Sequence, residues 1–195
     1  PSNSSAASDV YKRQLVYNPV YAQTGRGKSE KVVAVALASV GSTLSLLAMD
    51  VVLFMGQNFG FLSLPDELTT GSSIMPHKKN PDAFELIRAY GNKLQALPNE
   101  IQMMITNLPT GYHRDKQLLK ESFIPAFDQL EKILEITILL LENLRVNQEI
   151  IDDPRYSYLF TVEEVNRLVS KGVPFREAYR TVAAEIESGT YTPGK

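Results

Sequence analysis

Between Val32 and Met49 the chain runs eighteen residues without a charge, inside a longer stretch, Gly27 to Met55, that contains no proline. A run of that length is about the minimum for crossing a bilayer, or it is one long helix buried among other helices. Ser39, Gly41, Ser42, Thr43 and Ser45 dilute its hydrophobicity, and Asp50 interrupts before Val51 to Phe54 resume it. We therefore expect a helix wrapped on all sides by protein rather than lipid, opened by Glu30 and Lys31.

That helix sets the pattern for the rest. Gly60, Pro65, Gly71, Pro76 and Pro81 punctuate the segment QNFGFLSLPDELTTGSSIMPHKKNPD, which reads as a long, function-bearing loop. After Asn80 helix resumes, with Pro81 suited to its first turn and Asp82 and Glu85 suited to its positive end. Ala83, Ile87, Tyr90, Leu94 and Leu97 recur at spacings of four and three, the seam of a packed helix; Pro98 should kink or restart it. A third stretch places Phe123, Phe127, Leu130, Leu134, Leu141 and Leu144 at similar spacing, with Thr137 filling a gap and Pro125 near its start.

Beyond about Arg145 the elements shorten. Thr161 with Glu164 reads as a capping box, and Gly172 closes that helix. With 44% hydrophobic residues the chain can bury a real core. No run of alternating strand residues stands out, so the expected fold is all-α: a long-helix bundle with a small C-terminal helical domain. The expected divisions are residues 1–14, unlike the rest and outside the fold, then 15–146 and 147–195.

Twenty basic against 22 acidic residues leave no field for nucleic acid or an anionic membrane, so neither is expected as a partner. The absence of cysteine removes disulfides and thiolate metal sites. His77 and His113 are the only histidines, too few for a protein metal centre. No metal and no cofactor are expected.

The segment Gly71-Ser-Ser-Ile-Met-Pro-His-Lys-Lys-Asn-Pro81 gathers hydroxyls, an imidazole, ammonium groups and an amide just before a helix. Such a loop can surround an anion, or be a solvated basic surface. It matches the signature GSSxMPxKxNP at every fixed position, and the chain thereby resembles the fumarase and aspartase superfamily of lyases. Members eliminate an amine or water from a succinyl group and release fumarate. The resemblance implies that Ser72 is the base that takes the proton, that Lys78 and Asn80 hold the carboxylate whose charge grows, and that Glu85 belongs to the relay around a partner histidine. Ser73, His77 and Lys79 are assigned no chemistry.

A second segment, LPTGYHRDKQLLK from Leu108 to Lys120, places Tyr112, Gln117 and Lys120 at the spacing of the argininosuccinate lyase family, where such residues hold the substrate's ends. The words QNFGFLSLPDELTTGSS, FELIR and LPNEI extend the resemblance over most of residues 16–195. It implies a cytoplasmic homotetramer whose active sites are shared between subunits and whose substrate is argininosuccinate. It also implies that this sequence covers roughly the C-terminal half of such a protein and is inactive alone. Within the superfamily, adenylosuccinate lyase is the alternative; a non-catalytic structural relative is another.

One competing motif needs weighing. Ala22-Gln-Thr-Gly-Arg-Gly-Lys-Ser29 nearly reproduces a phosphate-binding loop after the strand-like LVYNPVY. That reading requires a parallel sheet downstream. Otherwise Arg26 and Lys28 simply mark the entry to the long helix.

Overall fold

The computed structural model describes residues 19–25, 27–71, 74–75, 78–109 and 111–192. Among them are six α-helices: α1 (Pro19–Thr24), α2 (Lys28–Met55), α3 (Asp82–Met104), α4 (Leu119–Glu142), α5 (Thr161–Ser170) and α6 (Phe175–Glu187). Four two-residue strands accompany them, β1 (Leu62–Ser63), β2 (Thr70–Gly71), β3 (Lys79–Asn80) and β4 (Arg145–Val146). They pair antiparallel as β1 with β4 and β2 with β3. This is an all-α fold, and the absence of a parallel sheet among the described residues removes the nucleotide-binding reading. LVYNPVY is no strand where it is described, since Pro19–Thr24 is helical, and Lys28 faces the Tyr21 ring at 5.8 Å rather than an open anion cradle.

The chain divides into two compact units. One takes residues up to Val52 with Asp66–Asn143; the other takes Leu53–Pro65 with Leu144–Lys195.

In the first unit α2, α3 and α4 run antiparallel in turn. Lys31 near the start of α2 donates to Gln102 near the end of α3, while Arg88 near the start of α3 donates to Met49 Sδ at 3.1 Å. Between these contacts the helices nearly touch. A Cβ on Gly41 would lie 2.9 Å from the carbonyl oxygen of Gly91, and one on Gly91 would lie 2.5 Å from that of Gly41. Beside the crossing Ser45 Oγ donates to Asn92 Oδ1 at 2.8 Å. From α3 to α4, Ser122 donates to Glu100, and Ile87 and Tyr90 face Gln129 and Ile133 across a groove of about 420 Å³.

The long apolar helix is not wrapped within this chain. Ala34, Leu37, Gly41, Leu44, Ala48 and Val51 form its buried face, whereas Val32, Val35, Leu46 and Met49 stand exposed. By length and composition it would qualify as a membrane span; here one face is packed against protein.

Two seams differ from the expected ones. On α3 the buried set is Phe84, Ile87, Gly91, Leu94, Leu97 and Ile101, so Phe84 and Gly91 replace Ala83 and Tyr90. On α4 it is Leu119, Ala126, Ile133, Thr137 and Leu140, while Phe127, Leu134 and Leu141 of the expected seam are exposed. Helix α4 is apolar on more than one side, so its periodicity alone does not select the buried face. Pro98 does not end α3. A mid-helix proline costs roughly 3 kcal/mol, but Leu94, Leu97 and Ile101 around it are all buried on one face, and burying each such side chain is worth about 1.5–3 kcal/mol. Packing on both sides carries the helix through.

In the second unit Phe54, Phe59 and Phe61 form a mutual ring cluster with centroids 5.4–6.0 Å apart, and Tyr156 stands edge-on to Phe61. The β1–β4 pair lies beside it, extended by the Asn147 N–H donating to Phe61 O at 2.9 Å. Helices α5 and α6 close on Val165, Ala178 and Val182. Gly172 ends α5 at φ +92°: its N–H donates to Val169 O and that of Val173 to Leu168 O, while Leu168 and Val173 both pack on the core. This is the glycine closure expected from the sequence.

The capping box is not formed. Thr161 is already helical and its hydroxyl donates backwards to Tyr158 O at 2.9 Å, because the 3-10 turn Pro154–Phe160 leads straight into α5. Glu164 instead accepts two bonds from the Arg167 guanidinium, which holds its carboxyl below the usual range, as does the nearby Lys171 charge.

Two outcomes follow from this packing. In urea unfolding, Gly91→Ala should destabilise the first unit by about 1–3 kcal/mol, even though alanine favours a helix over glycine by roughly 1 kcal/mol, because the added methyl meets backbone. Glu164 contributes stability at neutral pH that should be lost as pH falls through the ordinary glutamate range, near 4.3, toward its lowered folded value. Circular dichroism melts between pH 6 and 3 should show the decline, and Glu164→Gln should flatten it.

Candidate active site

Two groups of polar residues stand apart in the first unit. The first surrounds the β2–β3 pair, in register Thr70 opposite Asn80 and Gly71 opposite Lys79. Strand β3 passes through Pro81 directly into α3, whose first turn carries Asp82 and Glu85. Asn80 is half-buried, while Lys78 and Glu85 are exposed. The Lys78 N–H donates to Met75 O at 3.0 Å, which turns the backbone into the strand. Thr70 Oγ1 donates to Asp82, and Lys79 Nζ pairs with Asp66. Ser72, together with Ser73 and His77, lies outside the described residues.

The second group follows α3. The backbone turns at Gly111, φ +108°, and Tyr112 stands 69% exposed. A 3-10 turn, Arg114–Gln117, leads into α4, which buried Leu119 anchors. The Gln117 side-chain amide donates to Tyr112 Oη at 3.5 Å, so these two expected residues meet. Lys120 is exposed in the first turn of α4, where the helix dipole disfavours a cation. The helix gains nothing from a lysine there, whereas an anionic ligand would. His113 Nε2 is buried without a hydrogen-bond partner; nothing in the sequence marked it.

The two groups do not meet. One precedes α3 and the other follows it, and the 23 residues of α3 span about 33 Å at 1.5 Å per residue. Lys28 belongs to the second end, because Gly27 abuts Ile105 and Leu119. Among the described residues no cluster of three or more histidine or acidic side chains could hold a metal.

The signature singles out Lys78 and Asn80 and the family resemblance adds Glu85, but neither marks the contacts of Thr70, Asp66, Lys79 and Asp82. Two-residue strands are too short to leave an alternating pattern, and nothing else in the sequence marks these contacts.

A helical bundle with the signature sequence just before its middle helix has counterparts among known lyases. A family model described as lyase matches residues 20–95. Over those residues the chain is similar to that lyase family. It is 58% identical over 179 residues to the argininosuccinate lyase of Phocaeicola vulgatus, a match covering 92% of this chain and 40% of that protein. Against the argininosuccinate lyase of Bacteroides thetaiotaomicron identity is 53%, covering 100% of this chain and 44% of that one. The chain thus spans about two fifths of the length of these relatives. Among solved structures, EDDS lyase in complex with formate superposes with a TM-score of 0.65 at 25% identity, over 80% of this chain and 32% of that one.

Proposed function

We propose that this sequence is part of an argininosuccinate lyase, a β-eliminating enzyme that releases L-arginine and fumarate. The observation that carries this reading is the presence on one chain of both the GSSIMPHKKNP loop and the Tyr112, Gln117, Lys120 set. The first defines fumarate-releasing chemistry, and the second accompanies an amino-acid leaving group.

In this reading Ser72 takes the proton from the carbon beside a carboxylate. That bond's electrons become the new double bond as the carbon–nitrogen bond breaks, and the guanidino nitrogen departs with its electron pair and regains a proton. A serine is a weak base unless its alkoxide is stabilised, which assigns Lys78 a second duty beside binding the carboxylate. Lys78 and Asn80 face the charge that grows on that carboxylate, the term on which such catalysis depends most. Glu85, on the first turn of α3, orients a histidine supplied from outside this chain. Tyr112, Gln117 and Lys120 hold the substrate's ends.

The separation of about 33 Å between the two groups is too long for one small substrate. We therefore infer that each site joins the loop end of one subunit to the Tyr112 end of another, in a homotetramer. The exposed apolar faces of α2 and α4 support that reading, being suited to partner helices. A cytoplasmic location follows from the same assignment.

The test is fumarate release, read by ultraviolet absorbance, from argininosuccinate and from adenylosuccinate, using the full-length polypeptide that carries this sequence. Argininosuccinate alone should be turned over, and Ser72→Ala should lower kcat at least about a hundredfold. Mixed tetramers of Ser72→Ala and Lys120→Ala subunits should regain part of the activity each lacks. Turnover of adenylosuccinate instead would reassign the substrate, and turnover of neither by a folded assembly would point to a non-catalytic relative.

A further inference from the structure

The β2–β3 ribbon that carries Asn80 has two residues in each strand. Even a full two-stranded hairpin is marginal in water, so backbone pairing this short cannot fix its own register. Register nevertheless matters here. Successive residues of a strand point to opposite faces, so a slip by one position would put Lys79 where Asn80 stands and turn Asn80 to the opposite face. A slip in the other direction would set Thr70 opposite Pro81, which has no N–H to pair.

Two side-chain contacts oppose both slips. Thr70, directly across from Asn80, donates its hydroxyl to Asp82 beyond the strand. Lys79, on the opposite face, reaches back to Asp66 in the 3-10 turn that precedes β2. Each face of the ribbon therefore carries one tie, and each tie joins a strand to a residue outside the pair. We propose that Thr70–Asp82 and Asp66–Lys79 form a register lock that positions Asn80, and Lys78 next to it, for the carboxylate-binding role assigned above. The inference rests on that functional reading.

Lys79 thereby gains a part without touching substrate: it is a positioning residue. Magnitudes separate this role from a merely structural one. The Asp66–Lys79 pair is largely exposed, 74% and 53% by side chain, and such pairs contribute little to global stability. The same contribution is large beside that of a two-residue ribbon. Loss of a tie should therefore reach the chemistry while leaving the unfolding midpoint in place.

The experiment uses the full-length polypeptide with Thr70→Val, Thr70→Ser, Asp66→Lys and the double variant Asp66→Lys/Lys79→Asp. Thr70→Val and Asp66→Lys should each lower kcat for fumarate release about tenfold, with KM within about twofold and the urea midpoint unmoved. Thr70→Ser and the charge-swapped double variant should restore kcat to within about threefold of the parent. An unchanged kcat in Thr70→Val and Asp66→Lys overturns the lock, as does a loss that follows a lowered midpoint and is not rescued. Should the parent release no fumarate from argininosuccinate, the functional reading fails, and amide hydrogen exchange judges the lock by itself. Protected amides at residues 70–71 and 79–80 that exchange faster in Thr70→Val support it; amides equally unprotected in both overturn it.

Discussion

The first unit depends on how closely α2 and α3 approach. At Gly41 and Gly91 each helix presents backbone to backbone, with the carbonyl of one occupying the place a side chain would take on the other. No other residue pair permits that distance, and the distance determines the neighbouring contacts. It brings Ser45 within reach of Asn92, and it lets the flanking pairs Lys31 with Gln102 and Met49 with Arg88 close along the same antiparallel crossing. With α3 held against α2, the β2–β3 ribbon lies at one end of α3 and the Tyr112 turn at the other. The spacing of the two polar groups is a property of α3, and α3 is placed by two glycines.

Much of this was legible because the governing rules are local. A long, largely apolar stretch without proline predicts a helix from Gly27 to Met55, and α2 spans Lys28–Met55. Gly172 predicts a helix end, and its positive φ provides it. The failures share one cause, that a neighbour in space outweighed a local preference. Pro98 breaks helices in isolation, but buried leucines and an isoleucine hold α3 across it. Thr161 and Glu164 match a capping box, but a preceding 3-10 turn already satisfies the helix start, which frees Glu164 for Arg167. On α4 periodicity offers more than one apolar face, and only the fold chooses the face of Ala126, Ile133 and Leu140 over that of Phe127, Leu134 and Leu141.

The candidate site divides the same way. Its residue types were readable, since ammonium groups, an amide and hydroxyls crowd before a helix start and match a lyase signature. Its mechanics were not. Asp66, Thr70 and Asp82 are ordinary surface residues in the sequence, and their relation to Asn80 exists only once β2 and β3 pair. Lys79 is the sharpest case: the signature leaves its position open, yet it joins the strand beside Asn80 to the turn before it.

These observations constrain one another. An elimination that builds charge on a carboxylate needs cations and donors gathered in a dry site, whereas Lys78, Tyr112, Gln117 and Lys120 are all exposed here and lie at two ends of one helix. On the proposed function, a single chain would therefore supply two half-sites and enclose neither. Its apolar residues tell the same story, because α2 and α4 each bury one face and leave Val32, Leu46, Phe127 and Ile138 facing outward. Association through those faces would cover the apolar surface and, in the proposed tetramer, bring one chain's loop end to another's Tyr112 end. On the proposed function, the apolar residues left exposed on α2 and α4 are the ones whose burial would complete the chemistry, and burial and catalysis would become two consequences of one assembly.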